Sequence, residues 1–196
     1  MSLDEKYKQF VALKQYGPKH QVRMLAEDLI REYQAEPDEA FLLRMCDACT
    51  HKMDHMLWKR LVFPAMESRL DDDPKVVRAL IKTVQNLYSD KEAWQRLGFI
   101  TEMQLTQRLL ELCSEDGWAR QAKAAQLHRW LAYTIHEWPG GVLYGADGAS
   151  MSECDEILSA VEELLRLDES GRSIALCQDV REKTLQYKKR LASSAG

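Results

Sequence analysis

The chain has 196 residues, with 27 Lys and Arg against 31 Asp and Glu and a formal net charge of −4. Apolar residues make up 45% and charged residues 30%, a balance that excludes disorder over most of the length. Nine glycines and five prolines are too few for a collagen-like chain or a sandwich of tight turns, and no run nears the roughly 18 apolar residues of a membrane span.

In chain order, apolar residues recur at helical spacing. Residues 3–16 form a first predicted helix, ended at Gly17. Val22, Leu25, Ala26, Leu29, Ile30 and Tyr33 follow i, i+3, i+4, i+7, i+8 and i+11, giving a helix near 18–34. Phe41, Leu42, Met45, Ala48, Cys49 and Met53 mark the next, near 38–54, and a fourth covers 55–70. Pro64 lies inside that fourth helix and is expected to kink or break it near Phe63. Val76, Val77, Leu80, Ile81, Val84 and Leu87 stripe a helix near 74–88.

Shorter helices follow near 90–97 and 100–114, the second opened by a capping box of Thr101 and Gln104. The helix near 117–138 has apolar residues over an arc of about 220° and reads as central. Ser150 with Glu153 opens a helix near 151–167, and a last one covers 173–192. Pro18, Pro37 and Pro74 each precede a stripe, where the first turn has no use for the missing N–H.

Most connections are two to five residues long, so successive helices fold back antiparallel. The longer one, 139–149, holds four of the nine glycines. It reads as a functional loop, a boundary, or a connector whose Val142-Leu143-Tyr144 tucks onto the core. The fold class is therefore all-α: a single domain, 1–196, of nine or ten short antiparallel helices. It is either an irregular bundle or a short HEAT-like α-α stack, with a sub-boundary placed at 139–149 before a C-terminal hairpin at 150–192. No internal repeat aligns between hairpins.

Charge is spread evenly. Residues 1–70 carry 11 bases against 11 acids, 71–117 carry 6 against 9, 118–149 carry 3 against 2, and 150–196 carry 7 against 9. No segment so counted is basic enough for a nucleic-acid footprint. Lys183, Lys188, Lys189 and Arg190 fall in the last turns of the final helix, where cations complement its dipole; the other reading is an anion- or partner-binding tail. Five cysteines, odd in number and preceded by no leader-like apolar run, imply free thiols in a reducing cytosol. Cys113 and Cys177 stand in apolar stripes and read as small buried hydrophobes.

Four constellations bear on chemistry. Cys46, Cys49, His51 and His55 have the residue types of a zinc set, but on one continuous helix the thiols and imidazoles point to opposite sides. Asp47, His51 and His55 share one polar face and are the candidate metal ligands; against this stands a solvated face. In the aromatic region 128–144, His128 reads as a core histidine. Trp130 and Tyr133 fall on a polar arc with Lys123, Gln126 and Glu137, so the glycine-rich loop covers them or they anchor a partner. Tyr144 lies in that loop, and His136 with Glu137 offers weak acid–base potential beside it. Helix 90–97, the turn at Gly98 and the next helix, with Gln104, Gln107 and Arg108, have a helix-turn-helix outline. Ser170-Gly171-Arg172-Ser173 is a simple turn or a phosphate cradle.

No Walker loop, dinucleotide glycine motif or nucleophile elbow is present. The reading is a non-enzymatic cytosolic protein-protein interaction protein. It needs no cofactor and no membrane, and its partner is another protein, bound through Trp130, Tyr133 and Tyr144. The alternatives are a metal-binding protein or metal-dependent enzyme on Asp47, His51 and His55, and a helix-turn-helix nucleic-acid regulator.

Overall fold

A computed structural model describes residues 1–49, 52–144 and 147–194. Among the described residues every regular element is helical and there is no strand. No helix among them is long and apolar enough to cross a membrane. The chain divides into two compact units, Met1–Ser114 and Glu115–Gly196. The division falls upstream of 139–149, which belongs to the second unit.

The first unit contains α1 (Leu3–Tyr16), α2 (Lys19–Ala35), α3 (Glu39–Asp47), α4 (His55–Leu57), a π-helical turn (Trp58–Val62), α5 (Phe63–Glu67), α6 (Pro74–Lys82), α7 (Val84–Ser89), α8 (Lys91–Arg96) and α9 (Glu102–Leu112). Acids and hydroxyls open six of these helices, α1, α3, α4, α6, α8 and α9, by accepting orphan N–H groups. Asp38 accepts from Phe41, Asp73 from Lys75 and Asp90 from Ala93. Ser2 with Glu5, and Thr101 with Gln104, form complete capping boxes. α6 is the unit's central helix: Val76, Val77, Ala79, Leu80 and Ile81 are all buried, and it packs against α3, α5 and α9. The indole of Trp58 is fully buried and donates to Thr83 Oγ1 at 3.2 Å.

The predicted helix 74–88 is split at Thr83 into α6 and α7, and two further stretches of this unit bear on the sequence reading. The expected helix 38–54 ends at Asp47, and the Ala48 N–H closes it on the Arg44 carbonyl. The buried side chain of Asn86 accounts for the break. Its Oδ1 accepts from Met53 N at 2.9 Å and its Nδ2 donates to Met53 O at 2.9 Å, so a non-helical backbone keeps its hydrogen bonds. Asp54 then opens α4 by accepting from Met56 and Leu57. The kink expected near Phe63 takes the form of the π-helical turn, which lies directly before Phe63 and Pro64. There the Phe63 N–H reaches five residues back to the Trp58 carbonyl, widening the helix ahead of a residue that offers no N–H.

The second unit is three helices, α10 (Gly117–Thr134), α11 (Met151–Leu167) and α12 (Ile174–Ser194), with a 3-10 turn at Trp138–Gly140. Each helix packs on the other two. The pairs Arg181–Glu162 and Lys188–Asp155 run in opposite sequence order, which makes α11 and α12 antiparallel. Leu127, Leu131, Leu143, Ile157, Val161 and Leu164 lie at the centre of its core. Leu143 and Ala149 are buried there, so the glycine-rich connection tucks onto the core.

α10 is shorter than expected and buries a different face. Its buried residues are Ala119, Lys123, Gln126, Leu127, Leu131 and Thr134, while Ala125 and Ala132 face solvent. The buried stripe follows the seven-residue spacing of antiparallel packing. The outward alanines support the helix by propensity rather than burial. Cys113 also departs from expectation. It caps α9 and is exposed, whereas Cys46, Cys154 and Cys177 are buried; all five thiols are free.

Candidate functional site

The aromatic end of the second unit forms where α10 stops. Thr134 is the last helical residue, and the chain returns so that Tyr144 N donates to Thr134 O at 2.8 Å. This return places Tyr144, in left-handed backbone (φ 59°), edge-on to Trp130 with ring centroids 6.0 Å apart. Trp130 is half-buried and packs on the core. The two aromatics that share an arc on the helical wheel thus part company: the loop covers Trp130, and Tyr133 remains 56% exposed.

Tyr133 is nevertheless held in place. Its ring stacks on His136, centroids 4.5 Å apart and planes at 23°. Both imidazole nitrogens face oxygens: Nδ1 lies 2.6 Å from the Tyr133 carbonyl, and Nε2 lies 3.0 Å from Glu137. His136 and Glu137 lie in the turn after the helix, beyond its last residue Thr134. Beyond them, Arg190 lies over both Trp138 and Tyr187, 5.0 and 5.2 Å from the ring centroids, and donates to Gly141 O. Lys183 pairs with Asp179 and Lys188 with Asp155, so much of the C-terminal basic cluster is used within the unit.

Of the proposed metal face, His51 lies outside the described residues. Asp47 pairs with Lys82 at 2.7 Å, while His55 stacks on Trp58 and faces Asp90 at 3.4 Å. The described residues alone assemble no group of three His, Cys, Asp or Glu side chains suited to a metal. The Asp90 carboxylate is itself buried. Burial pushes its pKa up, but Lys59 Nζ at 3.0 Å, the Ala93 N–H and His55 outweigh this and hold it below the ordinary carboxylate range. Burial pushes the Cys46 thiol up to about 12, which makes it a poor nucleophile.

The helix-turn-helix outline is present as α8 and α9, with Gly98 and Phe99 in left-handed backbone between them. The side chains it would offer to DNA are engaged within the chain: Gln104 in the cap, Gln107 with Glu111, and Arg108 with Asp71 and Glu111. The Ser170–Ser173 turn carries its own anion. The Asp168 carboxylate accepts from Ser170 N at 3.0 Å and Ser173 N at 2.6 Å. Hydrogen bonds from Ser170 and Ser173 hold its pKa well below the usual range. His128 is half-buried rather than a core residue, with Nδ1 3.0 Å from Ser173 Oγ.

One feature escaped the segment counts. Residues 6–26 contain Lys6, Lys8, Lys14, Lys19 and Arg23 and no acid. Averaging over 1–70 hid this run, because the acids of 27–67 cancel it. In the structure it forms α1, the turn at Gly17 and the start of α2. Comparison of the chain with known protein families, with curated proteins and with solved structures finds no match in any of the three.

Proposed function

We propose that the chain is a non-enzymatic helical interaction protein that presents the aromatic end of its second unit to another protein in the cytosol. The observation carrying this reading is Tyr133, a large aromatic more than half exposed yet already fixed against His136. A preordered aromatic contributes contact area at low entropic cost, which suits an interface anchor. Trp130 and Tyr144 pack on each other and are half-buried, so they offer a partner less accessible surface than Tyr133 does. Free cysteines fit a reducing compartment. The helices of the first unit range from 3 to 17 residues, which favours an irregular bundle over a regular HEAT-like stack.

A photo-crosslinking residue at position 133, used in cells, should give one dominant protein adduct. Tyr133→Ala should then weaken binding of that protein at least tenfold and leave folding stability within about 0.5 kcal/mol, the usual range for a surface change. Unchanged affinity in Tyr133→Ala would remove the aromatic end from consideration. Trp130→Ala is expected to lower stability, because that ring packs on the core.

A further inference from the structure

The α1–α2 turn bounds a shallow groove of about 520 Å³ in the first unit, closed on its other side by Asp54, His55 and Met56. Its volume is that of a small ligand site. Phe10 and Ala26 close the floor and are buried, and half-buried Val22 and Met56 supply the accessible apolar surface. The rim is cationic: Lys14, Lys19 and Arg23 all line it.

The charge balance inside the groove is uneven. Asp54 is the acid that lines it, and its carboxylate is already engaged three ways, by Lys14 Nζ at 2.8 Å and by the N–H groups of Met56 and Leu57. Lys19 and Arg23 are exposed, one helical turn apart on α2, and neither has an ion-pair partner among the described residues. Two uncompensated cations therefore stand over an apolar floor.

We propose that this groove binds an acidic peptide segment of a partner protein, its carboxylates on Lys19 and Arg23 and one apolar side chain on Val22 and Met56. Charge complementarity selects an anion, and the apolar floor selects one that also carries a greasy side chain. The concavity argues against a flat membrane surface. The small number of free cations argues against a nucleic acid, whose affinity rests on many neutralised phosphates. A shallow groove covers one side of its occupant, which suits a peptide whose other side stays in water. This site is independent of Tyr133 and stands or falls apart from it.

The test uses the full chain and a labelled twelve-residue peptide of Glu-Glu-Leu repeats, titrated at low and at moderate salt. Saturable binding is expected, weakened about tenfold or more by Lys19→Ala with Arg23→Ala, and weakened by salt. Replacing the leucines by serine should weaken it several-fold, while Tyr133→Ala should leave it unchanged. Circular dichroism of the double variant should match the parent, since both side chains are exposed. Absence of saturable binding at millimolar peptide at low salt would overturn the proposal, as would equal binding by the double variant. Tighter capture of a single-stranded oligonucleotide or of phosphatidylserine vesicles through the same two cations would replace the peptide with that ligand.

Discussion

Asn86 shows how one side chain sets the backbone of a distant segment. It is completely buried, and its amide holds both the N–H and the C=O of Met53, thirty-three positions earlier. Without it, the stretch after α3 would leave two buried backbone groups unsatisfied. Asn86→Ala should therefore cost about 2–4 kcal/mol in urea denaturation, the scale expected when buried polar groups lose their partners. Hydrogen exchange at the Met53 amide supplies a local reading: slow in the parent, fast in the variant. An equally protected amide in Asn86→Ala would mean that other groups hold the segment. The local sequence gives no sign of this break, since no Gly or Pro lies between Cys46 and His55. Cys49 lies beyond the end of α3 and His55 at the start of α4, so one helical wheel does not relate them.

At the scale of elements, starts were more legible than ends. Helix starts depend on residues adjacent in sequence. Thr101 with Gln104, and Ser150 with Glu153, form the expected capping boxes, and Pro74 stands at the first turn of α6. Ends depend on what the chain meets next. α10 stops at Thr134 because the returning loop puts Tyr144 N on the Thr134 carbonyl, a contact that periodicity cannot reveal. The glycines of that connection differ in purpose. Gly148 adopts φ +78°, and a Cβ there would run into the Tyr187 hydroxyl, whereas a Cβ at Gly140 would meet nothing. Gly148→Ala should thus destabilise by about 1–3 kcal/mol, combining left-handed strain with displacement of Tyr187. Gly140→Ala should stay within about 0.5 kcal/mol. Thermal melts of the two variants side by side decide this; equal melting temperatures would mean that the loop relaxes freely around position 148.

For the whole molecule, class was readable and partition was not. A 3.6-residue period without strand alternation gives an all-helical chain, because each helix must bury one stripe. Length suggests one domain, and the contacts group into two compact units that adjoin in sequence at Ser114 and Glu115. That point lies in the short connection between α9 and α10, with nothing in composition to mark it. The glycine-rich segment at 139–149 closes the second unit instead. Charge shows the same limit, since the acid-free run 6–26 vanished in a count over seventy residues and regained meaning when α1 and α2 brought Lys14, Lys19 and Arg23 around one groove. The partition itself can be tested. The core of the second unit, including the partly buried side chains packed on it, lies within 124–191, and its three helices have 18, 17 and 21 residues. A helical bundle of roughly 80 residues with its own contiguous core is at the size where folding alone is common. Residues 115–196 expressed alone should therefore show strong helical circular dichroism and a single cooperative thermal transition. A broad, non-cooperative melt with dye-accessible apolar surface would instead show that the core of α10, α11 and α12 forms only when residues 1–114 are attached.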